Sequence, residues 1–224
     1  MSLISLQRET IGWKERDVLL DVDLTVEPGE KIAFLGRSGS GKSTLITHLY
    51  RRLIAAGKAV SLIPQDNALV PPLSVFHNVY MGQLDKRSTF YSLANLVKPF
   101  KKEVSDIRPI LSEISLEPEI FQAVEKLSGG QKQRTAIARA FFRGGEIILG
   151  DEPVSAIDEK QSATVLAAIR ARFPTVLLAL HDVDLARSYC DRIIGLKSNR
   201  IVIDKPSKEI ERSAIEALYA AEAK

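Results

Sequence analysis

The sequence predicts an α/β fold built on a mainly parallel β-sheet. Short apolar runs typical of strands alternate with longer segments of helical periodicity, as in sheets whose parallel strands are joined by helices. One such strand, Lys31 to Leu35, leads directly into a glycine-rich loop and then a helix. Between about residues 67 and 126 the pattern is helical and contains several prolines, which predicts a helical subdomain inserted into a single domain spanning 1–224.

The individual elements follow from local patterns. The first half is expected to contain strands at 3–7, 18–26, 31–35 and 59–63, with a helix from Lys42 to about Ala56. The second half is expected to contain helices at 131–142 and 158–172 and strands at 146–150, 175–180, 192–197 and 200–204.

Composition and charge exclude several classes of protein. With 45% apolar and 26% charged residues, the chain is typical of a globular protein and not of a disordered one. A net charge of +3 is too small to indicate a nucleic-acid partner. The single cysteine, Cys190, excludes an internal disulfide. Because we find neither a signal-peptide pattern nor an apolar run of roughly 18 residues, we expect a cytosolic protein that reaches a membrane only through a partner.

A phosphate-binding loop is the first functional motif. The pattern G-x-x-x-x-G-K-[ST] is matched after a strand and before a helix by Gly36, Arg37, Ser38, Gly39, Ser40, Gly41, Lys42 and Ser43, and Thr44 completes the predicted ATP-binding set. Glycines allow backbone N–H groups to turn toward phosphates, and the helix N-terminus adds its positive dipole end. Lys42 supplies a point charge for the β- and γ-phosphates, and the Ser43 hydroxyl can bind Mg²⁺.

An acidic pair follows a later strand. The apolar segment from Ile147 ends in Asp151 and Glu152. Alone, such a pair often only faces solvent. Combined with a phosphate loop, Asp151 can hold Mg²⁺ and Glu152 can accept a proton from the attacking water.

Several classes share those two features, including small kinases, GTPases, DNA-repair ATPases and transport motors. A more specific motif is the segment Leu127-Ser128-Gly129-Gly130-Gln131-Lys132-Gln133-Arg134. Its fifth residue, Gln131, lies 20 positions before Asp151. It resembles the signature of ATP-binding cassette (ABC) ATPases. This resemblance implies a P-loop NTPase core with a mainly parallel sheet, an antiparallel β lobe and a helical lobe.

The resemblance also implies a head-to-tail homodimer. In that arrangement Ser128, Gly129, Gly130 and Gln131 of one chain close on the ATP of the other. ATP and Mg²⁺ are the implied substrate and cofactor.

Three further features resemble the family pattern. Gln65 is similar to the Q-loop glutamine that senses Mg²⁺, and His181 to the switch histidine at the γ-phosphate. Ser155 to Asp158 resembles the D-loop at the dimer interface, although it also reads as a helix cap. Trp13 either stacks on adenine or is a packing residue.

One departure from the family is visible in length. Only 23 positions separate Lys42 from Gln65, fewer than family members usually have. The first helix and one strand use this length, so we expect the usual β-hairpin to be missing and the antiparallel lobe to be reduced.

Two regions indicate the branch of the family. The helical segment from Pro71 to Gly82 resembles that of importers. The segment Arg87–Leu93 and the later segment Leu180–Leu196, with its His-x-Val-Asp and Tyr-Cys-x-Arg-Ile patterns, are similar to those of phosphonate-type importers. This likeness implies an ATPase subunit at the cytoplasmic face of a membrane. Its implied partners are an integral membrane permease and, indirectly, a solute-binding protein.

Other functions stay open at this point. The cassette could power import of another small solute, or export of lipoproteins or other compounds. It could also be a soluble ATPase that acts in translation or DNA repair. Translation types normally carry two cassettes, and repair types carry coiled-coil or zinc insertions that this length and one cysteine do not provide. A small kinase has no use for the signature. We expect no nucleic-acid partner, since Lys98, Lys101 and Lys102 form only a short basic cluster.

Overall fold

The fold is organised around one six-stranded sheet. The computed structural model describes residues 2–13 and 16–220. Its strands are β1 (Ile4–Trp13), β2 (Arg16–Val26), β3 (Lys31–Leu35), β4 (Val60–Ile63), β5 (Ile147–Asp151), β6 (Thr175–Ala179), β7 (Arg192–Lys197) and β8 (Arg200–Pro206). The main sheet has the order β4-β5-β6-β3-β7-β8, and β1 and β2 form a separate two-stranded sheet.

The described residues contain eight α-helices. They are α1 (Lys42–Ala55), α2 (Val75–Tyr80), α3 (Thr89–Val97), α4 (Lys101–Glu113), α5 (Gly129–Arg143), α6 (Glu159–Arg172), α7 (Val183–Tyr189) and α8 (Arg212–Tyr219). Short 3-10 turns lie at Met81–Lys86, Glu117–Glu119, Val124–Lys126 and Ser207–Glu209. No helix in these described ranges combines the length and the apolar character that crossing a bilayer requires.

The central strand β3 is buried on both faces. Ala33 and Leu35 belong to a core that also contains the helical segment, whereas Ile32 and Phe34 belong to a core formed with α1 and the β1–β2 sheet. Side chains of a strand alternate between faces, so a strand covered on both sides is apolar throughout. This explains why Lys31–Leu35 lacks the alternation of a half-exposed strand.

The parallel pairing brings the carboxyl ends of five strands to one edge. β3 pairs in parallel with β6 and β7, β6 with β5, and β5 with β4. Only β8 runs antiparallel, against β7. Ligands of such sheets bind beyond the carboxyl ends of the strands. The α/β fold with a mainly parallel sheet is therefore confirmed, and its functional edge is defined.

The antiparallel lobe is reduced, as predicted. α1 ends at Ala55 and β4 begins at Val60, with no strand between them. The first strand, however, is longer than the predicted 3–7. Its pairing with β2 shifts register between Leu6 and Glu9, and Arg8 has φ 48°. Such bulges insert extra residues, so the alternation that identifies a strand is lost while the strand continues.

The helical segment packs tightly onto the core. A Cβ atom on Gly82 would lie 2.5 Å from the carbonyl oxygen of Arg139 on α5. Phe76 of α2 is fully buried, and its ring stacks with that of Tyr80 at a centroid distance of 6.1 Å. The segment is thus anchored to the sheet domain by α5.

We expect Phe76→Ala to lower the free energy of unfolding by about 3–5 kcal/mol, since it removes a buried aromatic ring and leaves a cavity. Phe90→Ala is the control, because Phe90 is 88% exposed and its loss should change stability by about 0.5 kcal/mol or less. Urea unfolding measures both. Equal effects of the two substitutions would contradict this packing.

Cys190 should resist thiol reagents in the folded protein. Its side chain is buried, and burial raises the pKa of the thiol to about 12. Only the thiolate reacts, so the labelling rate should rise about tenfold per pH unit between pH 7 and 10. Ellman's reagent measures the rate, with the urea-unfolded chain as the fast reference. Equal rates in the two states would show that the thiol is accessible.

Candidate functional site

The phosphate loop connects the end of β3 to α1. Gly36 has φ 149°, and a Cβ atom there would lie 2.4 Å from the carbonyl oxygen of Leu196. Gly41 has φ 100°, and a Cβ atom there would lie 2.7 Å from Leu19 Cδ2. Only glycine fits these two positions. The loop is therefore held against both β7 and the β1–β2 sheet.

Lys42 begins α1 and is only 4% exposed. Its Nζ donates to the carbonyl oxygens of Gly36 at 2.8 Å and Arg37 at 3.3 Å. Burial lowers the pKa of Lys42, while the charges of Glu152 and Asp151 act in the opposite direction. The ammonium group is thus positioned inside the loop, next to the two carboxylates.

Asp151 ends β5 and is 7% exposed. Burial raises the pKa of its carboxyl group, and a hydrogen bond with the Ser43 hydroxyl and the charge of Lys42 partly oppose this shift. Asp151 Oδ1 and Ser40 Oγ are buried without a hydrogen-bond partner among the described residues.

The Asp151 carboxylate and the Ser43 hydroxyl that contacts it fit a small hard cation. Mg²⁺ prefers carboxylate and hydroxyl oxygens and takes its remaining ligands from water and phosphate. In the described part of the chain, no cluster of three or more His, Cys, Asp or Glu side chains forms a metal centre by itself. The donor set therefore suits a cation that arrives with a phosphate ligand.

Glu152 and His181 form a hydrogen-bonded pair at the same edge. His181 follows β6, and its Nε2 lies 2.5 Å from Glu152 Oε1. Glu152 has φ 55°, an unfavourable conformation for a residue with a side chain, and its N–H donates to the Ala179 carbonyl at 3.1 Å. Such strain costs about 1–3 kcal/mol and persists only where the surroundings impose it. The fold thus holds this carboxylate in a fixed place.

Gln65 lies just beyond β4 and is exposed. Because Ile63 pairs with Gly150, Gln65 lies at the same sheet edge as Glu152. Among the described residues it makes no hydrogen bond to Ser43 or Asp151. The structure therefore brings Gln65 to this edge, without a described hydrogen bond to the other predicted Mg²⁺ ligands.

The signature segment forms the start of α5, which begins at Gly129, two residues earlier than predicted. Ser128 and Gln131 form a capping box: the Gln131 N–H donates to Ser128 Oγ at 3.3 Å, and the Ser128 N–H donates to Gln131 Oε1 at 2.9 Å. Ser128 and Gly129 are exposed, and no described hydrogen bond joins residues 128–131 to the phosphate loop. A capped helix N-terminus of this length is suited to bind an anion.

The predicted D-loop residues have partners within the chain. Asp158 caps α6 by accepting from the Gln161 N–H at 3.0 Å. Ser155 Oγ accepts from Gln133 Nε2 at 3.2 Å. The predicted helix cap at Asp158 is thus present.

Four further predicted ATP-binding residues belong to the phosphate loop itself and line a cavity. Arg37, Ser38, Gly39 and Ser40 line a cavity of about 670 Å³, together with the β7–β8 turn and the end of α8. The side chain of Trp13 lies outside the described part of the chain, so its predicted role at adenine stays a prediction.

Two residues of the site were missed by sequence reasoning. The Gln133 amide contacts the backbone of Glu152. The Tyr219 hydroxyl lies 3.5 Å from the His181 carbonyl oxygen and interacts with the backbone of Gly36. A buried polar residue on the apolar face of α5 is a signal that could have identified Gln133. Tyr219 has no comparable signal in the sequence.

Comparison with known proteins agrees with this geometry. The family model described as ABC transporter matches residues 19–155. The chain is 36% identical over 249 residues to the phosphonates import ATP-binding protein PhnC of Frankia casuarinae, covering 99% of this chain and 97% of that protein. It is also 36% identical over 230 residues to PhnC 2 of Pseudomonas aeruginosa, covering 91% and 85%.

Solved structures share the fold at lower identity. The dimeric structure of MJ0796, a bacterial ABC transporter cassette, has a TM-score of 0.77 at 24% identity, covering 92% of this chain and 99% of that chain. The same cassette bound to ADP and Pi has a TM-score of 0.73, with the same identity and coverage. Taken with the family match and the relatives, these likenesses establish that the chain belongs to the ABC transporter family.

Proposed function

We propose that this chain hydrolyses ATP as the ATP-binding subunit of an importer for phosphonate or a related phosphorus oxyanion. The observation that carries the enzymatic part is the convergence of the phosphate loop, Asp151 and the Glu152–His181 pair at one sheet edge. The substrate class rests on the relatives, which are named as phosphonates import proteins, and on the segment Leu180–Leu196.

The phosphate loop and the acidic residue would bind Mg·ATP. Backbone N–H groups of residues 36–44 and the Lys42 ammonium contact the phosphates. Ser43 and Asp151 hold Mg²⁺, with Gln65 as a third ligand. When bound, Mg²⁺ would neutralise charge on the β- and γ-phosphates.

Glu152 is the proposed general base. Its carboxylate orients a water molecule and accepts a proton from it as the water oxygen attacks the γ-phosphorus and the bond to the bridging oxygen breaks, releasing ADP and phosphate. His181 Nε2, which is hydrogen-bonded to Glu152 Oε1, keeps the carboxylate oriented. The backbone strain at Glu152 supports this role, since such conformations concentrate at functional sites.

The site is proposed to be completed by a second copy of the chain. Residues 128–131 form an exposed anion-binding helix N-terminus without a hydrogen bond to their own phosphate loop among the described residues. In a head-to-tail homodimer, this segment would contact the γ-phosphate bound by the partner. Ser155 and Asp158 would lie at the interface between the chains.

The helical subdomain, about residues 67–126, is the proposed contact with a permease. An apolar groove of about 350 Å³ lies between α2, the turn Met81–Lys86 and α3. Leu84 and Leu93 are exposed there. We infer that a short helix of an integral membrane permease fills this groove, which places the chain at the cytoplasmic face of the membrane. A solute-binding protein would deliver the substrate to that permease.

Glu152→Gln should lower the rate of ATP hydrolysis by about 10²–10⁴-fold, since a positioned base is lost. ATP binding should persist, and size-exclusion chromatography with ATP should show accumulation of a dimer. Glu146→Gln is the matched control, because Glu146 is exposed just before the opposite end of β5. Near wild-type turnover of Glu152→Gln would remove Glu152 from the role of base.

Leu93→Asp should prevent capture of an integral membrane protein by the tagged Glu152→Gln chain. The capture is performed with ATP on detergent-solubilised membranes of the source organism. Val202→Asp is the control, since Val202 is a comparably exposed apolar residue on β8. Leu93→Asp places a charge on an apolar surface. In a chain that keeps the native Glu152, it should leave the ATPase rate of the isolated protein unchanged. If only soluble proteins or nucleic acid are captured, the transport function is wrong.

A second part of the same experiment tests the substrate class. The solute-binding protein encoded beside the captured permease is titrated calorimetrically with a phosphonate, phosphate and an unrelated anion. Binding of the phosphonate or phosphate supports the proposal, whereas binding of neither assigns the cassette to another solute.

A further inference from the structure

Gln133 is a buried polar residue on α5, two positions after Gln131 in the signature segment. It is 3% exposed. Its Nε2 donates to the carbonyl oxygen of Glu152 at 2.7 Å and to Ser155 Oγ at 3.2 Å, and its Oε1 accepts from the Ala156 N–H at 2.8 Å. Both amide donors are therefore used within the segment that follows β5.

The contact with Glu152 falls on the strained residue of the site. The Glu152 N–H donates to the Ala179 carbonyl on β6, and its carbonyl oxygen accepts from Gln133 Nε2 on α5 at 2.7 Å and, more weakly, from the Ser155 N–H at 3.3 Å. With φ 55°, this residue keeps its conformation only because its peptide groups are fixed from outside. Gln133 thus helps to fix the backbone from which the Glu152 carboxylate reaches His181.

The first turn of α5 packs against the same segment. A Cβ atom on Gly130 would lie 2.9 Å from the carbonyl oxygen of Ala156. Backbone therefore approaches backbone where the signature meets residues 152–156, and Gln133 adds hydrogen bonds one turn further along the helix. A displacement of the start of α5 would be transmitted to this segment.

We propose that Gln133 is a positioning residue that couples the signature helix to the catalytic base of its own chain. The proposal rests on the function proposed above. In the head-to-tail dimer, the N-terminal end of α5 contacts the nucleotide bound by the partner chain. Gln133 of the same helix holds Glu152 in the site of its own chain. Closure of the signature on one nucleotide then sets the base at the second.

Gln133→Met tests this role, since methionine keeps the length of the side chain but neither donates nor accepts strongly. We expect kcat to fall about 10- to 100-fold, since a displacement of about 1 Å of a catalytic group costs up to about 10²-fold in rate. The KM for ATP and the ATP-dependent dimerisation of the Glu152→Gln background should change by about twofold or less, because the phosphate loop and signature are intact. If the variant does not fold, Gln133→Asn, which retracts the amide by one methylene, replaces it.

Ser61→Ala is the structural control. The buried Ser61 hydroxyl donates to the carbonyl oxygens of Ala140 at 3.0 Å and Gly144 at 2.8 Å, at the opposite end of α5. Its loss should lower the unfolding midpoint without changing kcat. If Ser61→Ala reduces kcat as strongly as Gln133→Met, Gln133 acts through general stability and the proposal is wrong.

A double-mutant cycle separates positioning from other effects. In the Glu152→Gln background, Gln133→Met should cause no further loss of residual hydrolysis beyond about twofold, since an absent base cannot be misplaced. An additive loss, an unchanged kcat of the single variant, or a loss of dimerisation would each overturn the positioning role. If Glu152→Gln itself keeps full turnover, the proposed base is wrong instead, so the two failures are distinguishable.

Discussion

The parallel pairing of β3 with β6 and β7 is the constraint on which the rest of the structure depends. Because these strands run in one direction, the phosphate loop after β3 and His181 after β6 emerge at the same edge. β5, paired with β6, adds Asp151 and Glu152 there. A slip of one residue in β5 would turn Asp151 to the opposite face of the sheet. Cores on both faces fix the register, so packing far from the edge determines the geometry of the site.

Two buried opposite charges give the site its ligand preference. Burial disfavours both charged forms, lowering the pKa of Lys42 and raising that of Asp151, and the attraction between the two groups opposes both shifts. A phosphate alone would add only negative charge beside Asp151, and a cation alone only positive charge beside Lys42. A ligand that brings both signs together preserves the balance. The electrostatics thus favour a metal–phosphate complex over either component.

Local patterns predicted most of the fold, and long-range contacts account for what they missed. The strand Lys31–Leu35, the loop and α1 were predictable because each is encoded by adjacent residues. β1 was underestimated because its bulges break the alternation of side chains. α5 starts earlier than predicted because the Ser128 capping box compensates for the low helix propensity of glycine. Tyr219 reaches Gly36 across most of the chain, so no local pattern reveals it.

The helix α5 carries two parts of the proposed site, the signature at its N-terminus and Gln133 one turn later. At its capped N-terminus Ser128 and Gly129 are exposed and make no described hydrogen bond to their own phosphate loop, while Gln133 one turn later donates to the Glu152 carbonyl. Because α5 is one continuous helix of 15 residues, its capped N-terminus and Gln133 move together. Under the proposal, the position of the Glu152 carboxylate therefore depends on what the signature contacts. Glu152 has φ 55°, so the hydrogen bonds that hold its peptide groups, including the one from Gln133, bear directly on the placement of its carboxylate. In the proposed dimer, hydrolysis at each site would then depend on occupancy of the other, and the two sites would act in step.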